Sequence, residues 1–205
     1  RGVLQTNIAA FFATVGMYAN HLLTLNETRA PTSNGTGLGL DAATAGLLVA
    51  PSAVMMVVVS PLVGRALRTW GGKMPLILGS AIMGSAFILR IVTENSIAIT
   101  LVTTMLIGTG VAFAYAALPT LILDAVPAEE SAAAAGVNGL IRSLSGAVTS
   151  AAFTLVLTAF PFAPEPEYLT GTGINIAYGV VGATAAVAVL IAAFLPRTGR
   201  GVTAP

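Results

Sequence analysis

The chain has 205 residues, of which 56% are hydrophobic and 8% are charged, and its formal net charge is +1. A soluble domain averages about 25% charged residues, so this composition excludes an ordinary water-soluble domain and indicates a bilayer as the solvent. The small net charge implies no nucleic acid or other polyanion as a partner. The sequence has no cysteine, which excludes disulfides and thiolate metal sites.

Six apolar stretches follow one another along the chain, each long enough for a helix of roughly 20 residues to cross a bilayer. They lack the strict polar–apolar alternation of membrane barrel strands. The sequence therefore predicts an all-α, polytopic membrane protein with transmembrane helices at about 3–25, 42–63, 74–92, 97–123, 130–160 and 173–195. The third span includes Arg90, whose side chain we expect to extend so that its guanidinium reaches the membrane–water interface.

Turn-forming residues separate the predicted spans. The segment 26–41 is rich in Asn, Thr, Gly and Pro, and Asp41 can cap the second helix. Pro127 can occupy a first helical turn at the start of the fifth helix. Glu27 is assigned to the first of these connections, so the predicted spans contain no Asp or Glu near mid-membrane.

The distribution of basic residues predicts the orientation. Six spans place both termini on one side, and that side holds six basic residues: Arg1, Arg65, Arg68, Lys73, Arg197 and Arg200. The other side holds two, Arg29 and Arg90. The positive-inside rule then puts both termini in the cytoplasm, in a multi-pass protein of the plasma membrane.

The connection between the second and third predicted helices reads SPLVGRALRTWGGK over residues 60–73. It resembles the cytoplasmic loop motif G-x-x-x-D-R-x-G-R-R of the major facilitator superfamily, in which Gly64, Gly71 and Lys73 match. Arg68 replaces the acidic residue of the motif, so the charge relay attributed to that acid does not carry over. This departure is similar to the weaker copy of the motif in the second half of such transporters.

Two later stretches support the same resemblance. Residues 106–110 with Pro119 and the segment 124–127 are similar to the tenth helix of twelve-helix members. Residues 135–146, AGVNGLIRSLSG, are similar to the start of the next helix. The Asn138–Arg142 pair within them resembles drug-resistance exporters of the EmrB/QacA kind.

The resemblance implies that residues 1–205 form the carboxy-terminal six-helix half of a transporter, built as two three-helix repeats. It implies a missing amino-terminal half, a small-molecule substrate and the lipid bilayer as partners, and no cofactor. The specific expectation is secondary active transport by proton-coupled efflux of drugs or small metabolites, with any proton site in the missing half. The alternatives are a metabolite uptake carrier and a non-transporting half-size membrane module.

A polar stripe runs along the first predicted helix. Asn7, Thr14 and Tyr18 recur at a spacing that places them on one helical face. By family resemblance this helix and the fourth line the central cavity, where Thr109 and Phe113 share a face. These five residues are our candidates for the substrate path, and ordinary interhelical hydrogen bonding is the alternative.

Arg142 is the charge that the sequence places clearly within a span. An unpaired arginine at mid-bilayer costs on the order of 2.5–3.5 kcal/mol, so we expect Arg142 to approach a carboxylate or helix-end carbonyls. Asp124, Glu129 and Glu130 are the candidate partners. Arg142 then either has a gating or anion-contacting role, with Asn138, or is half of a structural pair. For the turn with Gly64, Arg65, Arg68, Gly71 and Lys73, the preferred interpretation is an interface anchor at Trp70. The functional alternative is a contact with the other half during rocking.

Enzymatic chemistry finds no support in the sequence. The chain has one His and no Cys, and it lacks metal-ligand spacing, a nucleophile triad and a phosphate-cradling loop. We therefore expect no enzyme activity, no metal site and no nucleotide-driven coupling.

Overall fold

The computed structural model describes residues 2–195, and the regular secondary structure within them is helical, with one isolated β-bridge between Pro161 and Leu169. Five helices are long and apolar enough to span a membrane, and a bent pair makes six if the pair is one span. The all-helical prediction is confirmed. The helices are α1 (Gly2–Arg29), α2 (Ala42–Val58), α3 (Ser60–Trp70), α4 (Lys73–Val92), α5 (Ile97–Leu123), α6 (Ser131–Ala159) and α7 (Gly171–Ala193).

The second predicted span, residues 42–63, is not one straight helix. α2 ends at Val58 and α3 begins at Ser60, and the two helices are bent by 48° relative to each other. Pro61 has no N–H to donate to the carbonyl four residues earlier, so the helical hydrogen-bond ladder is interrupted here. α3 continues to Trp70 through the segment that was expected to be a loop.

Side-chain caps fix the starts of three helices. Asp41 accepts hydrogen bonds from the backbone N–H groups of Ala43 and Thr44, which confirms it as the cap of α2. The backbone N–H of Thr44, more than any other group, holds the pKa of Asp41 below its ordinary value. Ser96 and Thr170 cap α5 and α7 in the same way.

α5 is the central helix, since it packs against α1, α2, α3, α4 and α6. Its glycines allow the closest approaches in the bundle. A Cβ at Gly108 would overlap the backbone of Ser52 in α2, and a Cβ at Gly110 would overlap Met83 and the backbone of Gly79 in α4. Small residues at such crossings let helix backbones meet, as is common between membrane helices.

The loops at the end of the bundle where α1 finishes are joined by asparagine side chains. Asn26 donates to the Glu167 carbonyl at 2.9 Å and accepts from the Leu169 N–H at 3.0 Å. Asn34 donates to the Leu169 carbonyl at 3.1 Å. Asn95 donates to a carbonyl of the α1–α2 loop at 2.7 Å. Three connections therefore form one hydrogen-bonded layer.

We call the other end of the bundle the basic end, because it holds the α3–α4 turn with Arg65, Arg68 and Lys73. Arg65 and Arg68 are exposed. Lys73 donates from Nζ to two carbonyls at the end of α7, both at 2.7 Å, where a cation offsets the negative end of the helix dipole. The remaining basic residues assigned to this side, Arg1, Arg197 and Arg200, lie outside the described residues.

α6 is the least covered of the spanning helices. Buried residues make up 17% of its apolar segment, against 56% in α1 and α5. Its small residues Gly136 and Gly139 have no atom from another element within 4 Å of where a Cβ would lie. The large apolar residues Leu140 and Leu155 are 71% and 70% exposed. The bundle therefore leaves one long apolar helix face without a partner among residues 2–195.

Candidate functional site

A guanidinium–aromatic pair between α5 and α6 forms the centre of the candidate site. The guanidinium carbon of Arg142 lies 4.3 Å from the centroid of the Tyr115 ring. This geometry is an attractive cation–π contact, which strengthens where the cation is desolvated. The Nε atom of Arg142 is buried and has no hydrogen-bond partner. The pair therefore holds the charge in place without neutralising it.

The Arg142–Tyr115 pair borders a cavity of about 450 Å³ between the bent α2–α3 segment, α5 and α6. Most of the wall is apolar, and Arg142 and the Tyr115 ring supply its charge and its aromatic surface. The lining residues are Met56, Ser60, Val63, Gly64, Leu67, Ala112, Tyr115, Ala116 and Arg142. A few polar groups in a mainly apolar wall are typical of small-molecule sites.

α1 contributes Tyr18 and Thr14 beside this pair. Gly146 lies one turn after Arg142, and a Cβ there would lie 2.8 Å from Cζ of Tyr18, so the ring packs directly on the α6 backbone. Thr14, Tyr18 and Arg142 all lie close to the Tyr115 hydroxyl, and Thr14 is fully buried. Two of the sequence-derived path candidates thus lie beside Arg142.

The structure places Asn7 and Asn138 in the contact between α1 and α6. The Asn138 side chain donates to the Asn7 side-chain oxygen at 2.9 Å, and both residues are buried. Ser145 adds a hydrogen bond of 2.8 Å to the Phe11 carbonyl. These are interhelical hydrogen bonds of the kind that we named as the alternative for the polar stripe.

Thr109 and Phe113 are not brought together at one opening. The Thr109 hydroxyl donates to the Met105 carbonyl of its own helix at 2.9 Å. Phe113 is buried in a small apolar cluster with Val63 and Ala66 of α3. The bend after α2 brings α3 over this face of α5, which the expected straight span did not foresee.

The prediction that Arg142 pairs with a carboxylate is wrong. Within the part of the chain that the structure describes, the one salt bridge joins other residues. Arg142 lies eleven residues after the start of α6, which is about 16 Å along the helix axis. Asp124, Glu129 and Glu130 stay at the basic end, so Tyr115 takes the position of the expected acid.

The motif residues at the basic end have separate roles. Gly71 has a φ of 68°, a left-handed conformation that favours glycine and ends α3. Gly64 lines the cavity beside Arg142. Lys73 caps α7, while Arg65 and Arg68 are exposed.

A second charged cluster, the Glu27–Arg90–Tyr178 brace, joins α1, α4 and α7 near the opposite end. Arg90 donates from Nη1 to Glu27 and to the Tyr178 hydroxyl, and from Nε to Thr103 at 2.9 Å. Tyr178 also donates to Glu27. Arg90 and Glu27 are each 5% exposed. A cavity of about 470 Å³ reaches both residues from the loop side, where Arg90 Nη2 has no partner.

The brace corrects two expectations. Glu27 was assigned to a loop and Arg90 was expected to extend toward the interface, but both side chains are buried within the bundle. Each ionic group is stabilised there because the other is within salt-bridge distance. The signal in the sequence was an ionisable residue inside an apolar run, which by itself marks a site of interest.

Among residues 2–195, no group of three or more His, Asp or Glu side chains could hold a metal ion. The geometry thus consists of spanning helices, an apolar-walled cavity with one uncompensated guanidinium, and a paired charge cluster. This combination defines a polytopic membrane protein with a solute-sized cavity between its helices.

Comparison with known proteins identifies the family. The model for the major facilitator superfamily matches residues 3–150, and the chain belongs to this superfamily of transporters. The chain is 29% identical over 158 residues to the "Multidrug resistance protein Stp" of Mycobacterium tuberculosis, in strains CDC 1551 / Oshkosh and ATCC 25618 / H37Rv. The alignment covers 77% of this chain and 28% of each relative. The predicted family and its likeness to drug-resistance exporters are confirmed.

Proposed function

We propose that residues 1–205 are the carboxy-terminal half of a secondary active transporter that exports drugs or small metabolites in exchange for protons. The helices would form two three-helix repeats, with both termini in the cytoplasm and the bundle in the plasma membrane. The observation that carries the proposal is Arg142, held over Tyr115 with a free Nε at a cavity of about 450 Å³.

The wall of this cavity suits an amphiphilic solute. Apolar side chains of α3 and α5 would contact hydrocarbon, and the ring of Tyr115 would stack on planar groups. Arg142 would attract an anionic or strongly electronegative group of the solute, because its charge is not neutralised by a carboxylate. Tyr18 and Thr14 would extend the same path along α1.

The exposed face of α6 supports a further six-helix half as the partner. Its apolar residues Leu140 and Leu144 are 71% and 57% exposed, on the helix that also carries Arg142. This second half would cover the side of α6 opposite to Arg142, which keeps facing the cavity beside α3 and α5. Rocking of one half against the other around such a site is how alternating access operates in transporters of this architecture.

Transport by the full-length protein in proteoliposomes tests the proposal. We expect outward transport of amphiphilic fluorescent dyes driven by inward proton flow down an imposed gradient, and its loss when an ionophore collapses the gradient. A panel of anionic, neutral and cationic dyes reports the charge preference set by Arg142. Transport that survives collapse of the gradient would refute proton exchange, and accumulation in the opposite direction would favour an uptake carrier.

A further inference from the structure

A groove on the outer surface of the bundle lies between α1, α6 and α7, away from the Arg142 cavity. Its volume is about 230 Å³. The walls are apolar apart from two threonines, Thr149 and Thr184, whose hydroxyls donate to carbonyls of their own helices at 2.7 Å. The rim residues Val148 and Val180 are 43% and 52% exposed. The groove therefore presents no free polar group, which suits hydrocarbon.

The length of the groove matches one leaflet of a bilayer. Its lining on α1 runs from Phe11 to Leu23, which is about 18 Å at 1.5 Å per residue. The hydrocarbon core of a bilayer is about 30 Å thick, or about 15 Å per leaflet. An extended acyl chain that enters at the Leu22 end would reach Phe11 at the middle of the membrane.

A polar cavity continues the groove at the Leu22 end. Leu22 and Phe153 line both spaces, and the second one, of about 290 Å³, is also lined by Arg29 and Glu167. Both charged residues are exposed, and in the described range of the chain neither takes part in a salt bridge. Among the described residues, one cation and one anion outside any salt bridge thus lie at the Leu22 end of the apolar groove.

We propose that this groove binds a phospholipid whose headgroup carries both a phosphate and an ammonium group, such as phosphatidylethanolamine. One acyl chain lies along α1 between α6 and α7. The phosphate contacts Arg29, and the ammonium group contacts Glu167. A headgroup with phosphate alone leaves Glu167 beside an anion, so the charge pair favours the zwitterionic lipid.

Lipid retention by the purified full-length protein tests this site. Native mass spectrometry would compare phosphatidylethanolamine with phosphatidylglycerol, which has the phosphate but no ammonium group. We expect a preference of up to about fivefold for phosphatidylethanolamine, the upper limit for one exposed ionic contact. Glu167→Gln should abolish that preference, and Arg29→Gln should weaken the retention of both lipids.

A matched pair of variants tests the acyl groove. Ala152→Phe fills the groove and should remove the retained lipid, whereas Ala186→Phe adds the same bulk at an exposed residue of α7 outside the lining. Unfolding temperatures measured in parallel identify a variant that fails to fold, and Glu167→Gln then remains as the test. Equal retention of both lipids, unchanged by Glu167→Gln, would show ordinary annular lipid and overturn the proposal. A cross-link from Val180→Cys to a helix outside residues 2–195 would show that protein covers the groove, and it would overturn the proposal as well.

Discussion

Arg90 and Arg142 both interrupt long apolar helices, but their surroundings differ. Arg90 is 5% exposed and binds a carboxylate, a phenol and a threonine hydroxyl. Arg142 is only partly buried, faces a cavity, and has an aromatic ring as its partner. A guanidinium paired with a carboxylate fixes the helices that carry it. A guanidinium held by a ring alone keeps its charge available for a ligand or another helix.

The largest expected effect on stability comes from a variant that removes one partner of the Glu27–Arg90–Tyr178 brace. Glu27→Ala leaves the Arg90 charge buried without its carboxylate, and removal of one partner of a buried pair costs about 3–5 kcal/mol. We expect a clear fall in the unfolding temperature of the full-length protein in detergent. Glu94→Gln, at an exposed carboxylate near the same end, serves as the control.

Removing both charges tests whether the loss of stability in Glu27→Ala comes from the unpaired charge of Arg90. The double variant Glu27→Leu with Arg90→Met replaces the pair by apolar side chains, and we expect it to regain most of the lost stability. If Glu27→Ala unfolds at the same temperature as Glu94→Gln, the brace does not hold α1, α4 and α7 together.

A second variant acts at the site of Arg142. Gly146→Ala places a methyl group against the Tyr18 ring, which would have to move, and overpacking of this kind typically costs about 1–3 kcal/mol. Gly139→Ala, on the same helix with open space around it, is the matched control. We expect Gly146→Ala to reduce dye transport and stability together, whereas Gly139→Ala should leave the unfolding temperature near the wild-type value.

Tyr115 allows the ring contact to be separated from the phenol. Tyr115→Phe keeps the face that Arg142 covers, whereas Tyr115→Leu removes it, at a cost of about 0.5–2 kcal/mol. Unfolding temperatures should follow the order wild type, Phe, Leu. A Phe variant as unstable as the Leu variant would mean that the hydroxyl, rather than the ring, holds Arg142.

The smallest expected effect concerns Lys73, a cation that is neither buried nor in the cavity. Lys73→Met removes two hydrogen bonds to the carbonyls that end α7, and we expect a loss of about 0.3–1 kcal/mol. In Lys73→Met, amide hydrogen exchange should be faster in the last turn of α7 and unchanged around the Glu27–Arg90–Tyr178 brace. Equal exchange in the two proteins would contradict this capping role.

Local patterns in the sequence predicted the fold but not the neighbours of the charged residues. Asp41 was recognised as a cap because the cap depends on residues two and three positions away. Glu27 and Arg90 are 63 positions apart, and Tyr178 lies on a third helix. No periodicity along one helix indicates that three helices meet at one point.

The same limit explains the partner of Arg142. The sequence identified the residue and the cost of burying it, but its partner depends on the height of Arg142 along α6 and on the rotation of α5. Tyr115 lies two residues after Phe113 and so points to a different face of α5, and that face is the one that meets Arg142 of α6. The bend before α3 also changed which face of α5 is covered, and Pro61 was the residue that signalled it.

The claim that Arg90 stabilises the bundle whereas Arg142 serves transport is tested most directly by the variant Arg142→Gln. The measured quantity is its dye transport rate per folded molecule. We expect a rate at least about tenfold lower, a loss of about 1.4 kcal/mol of transition-state stabilisation, with an unfolding temperature that falls no further than that of Tyr115→Leu. Wild-type transport by Arg142→Gln, or a fall in its unfolding temperature as large as that of Glu27→Ala, would contradict this claim.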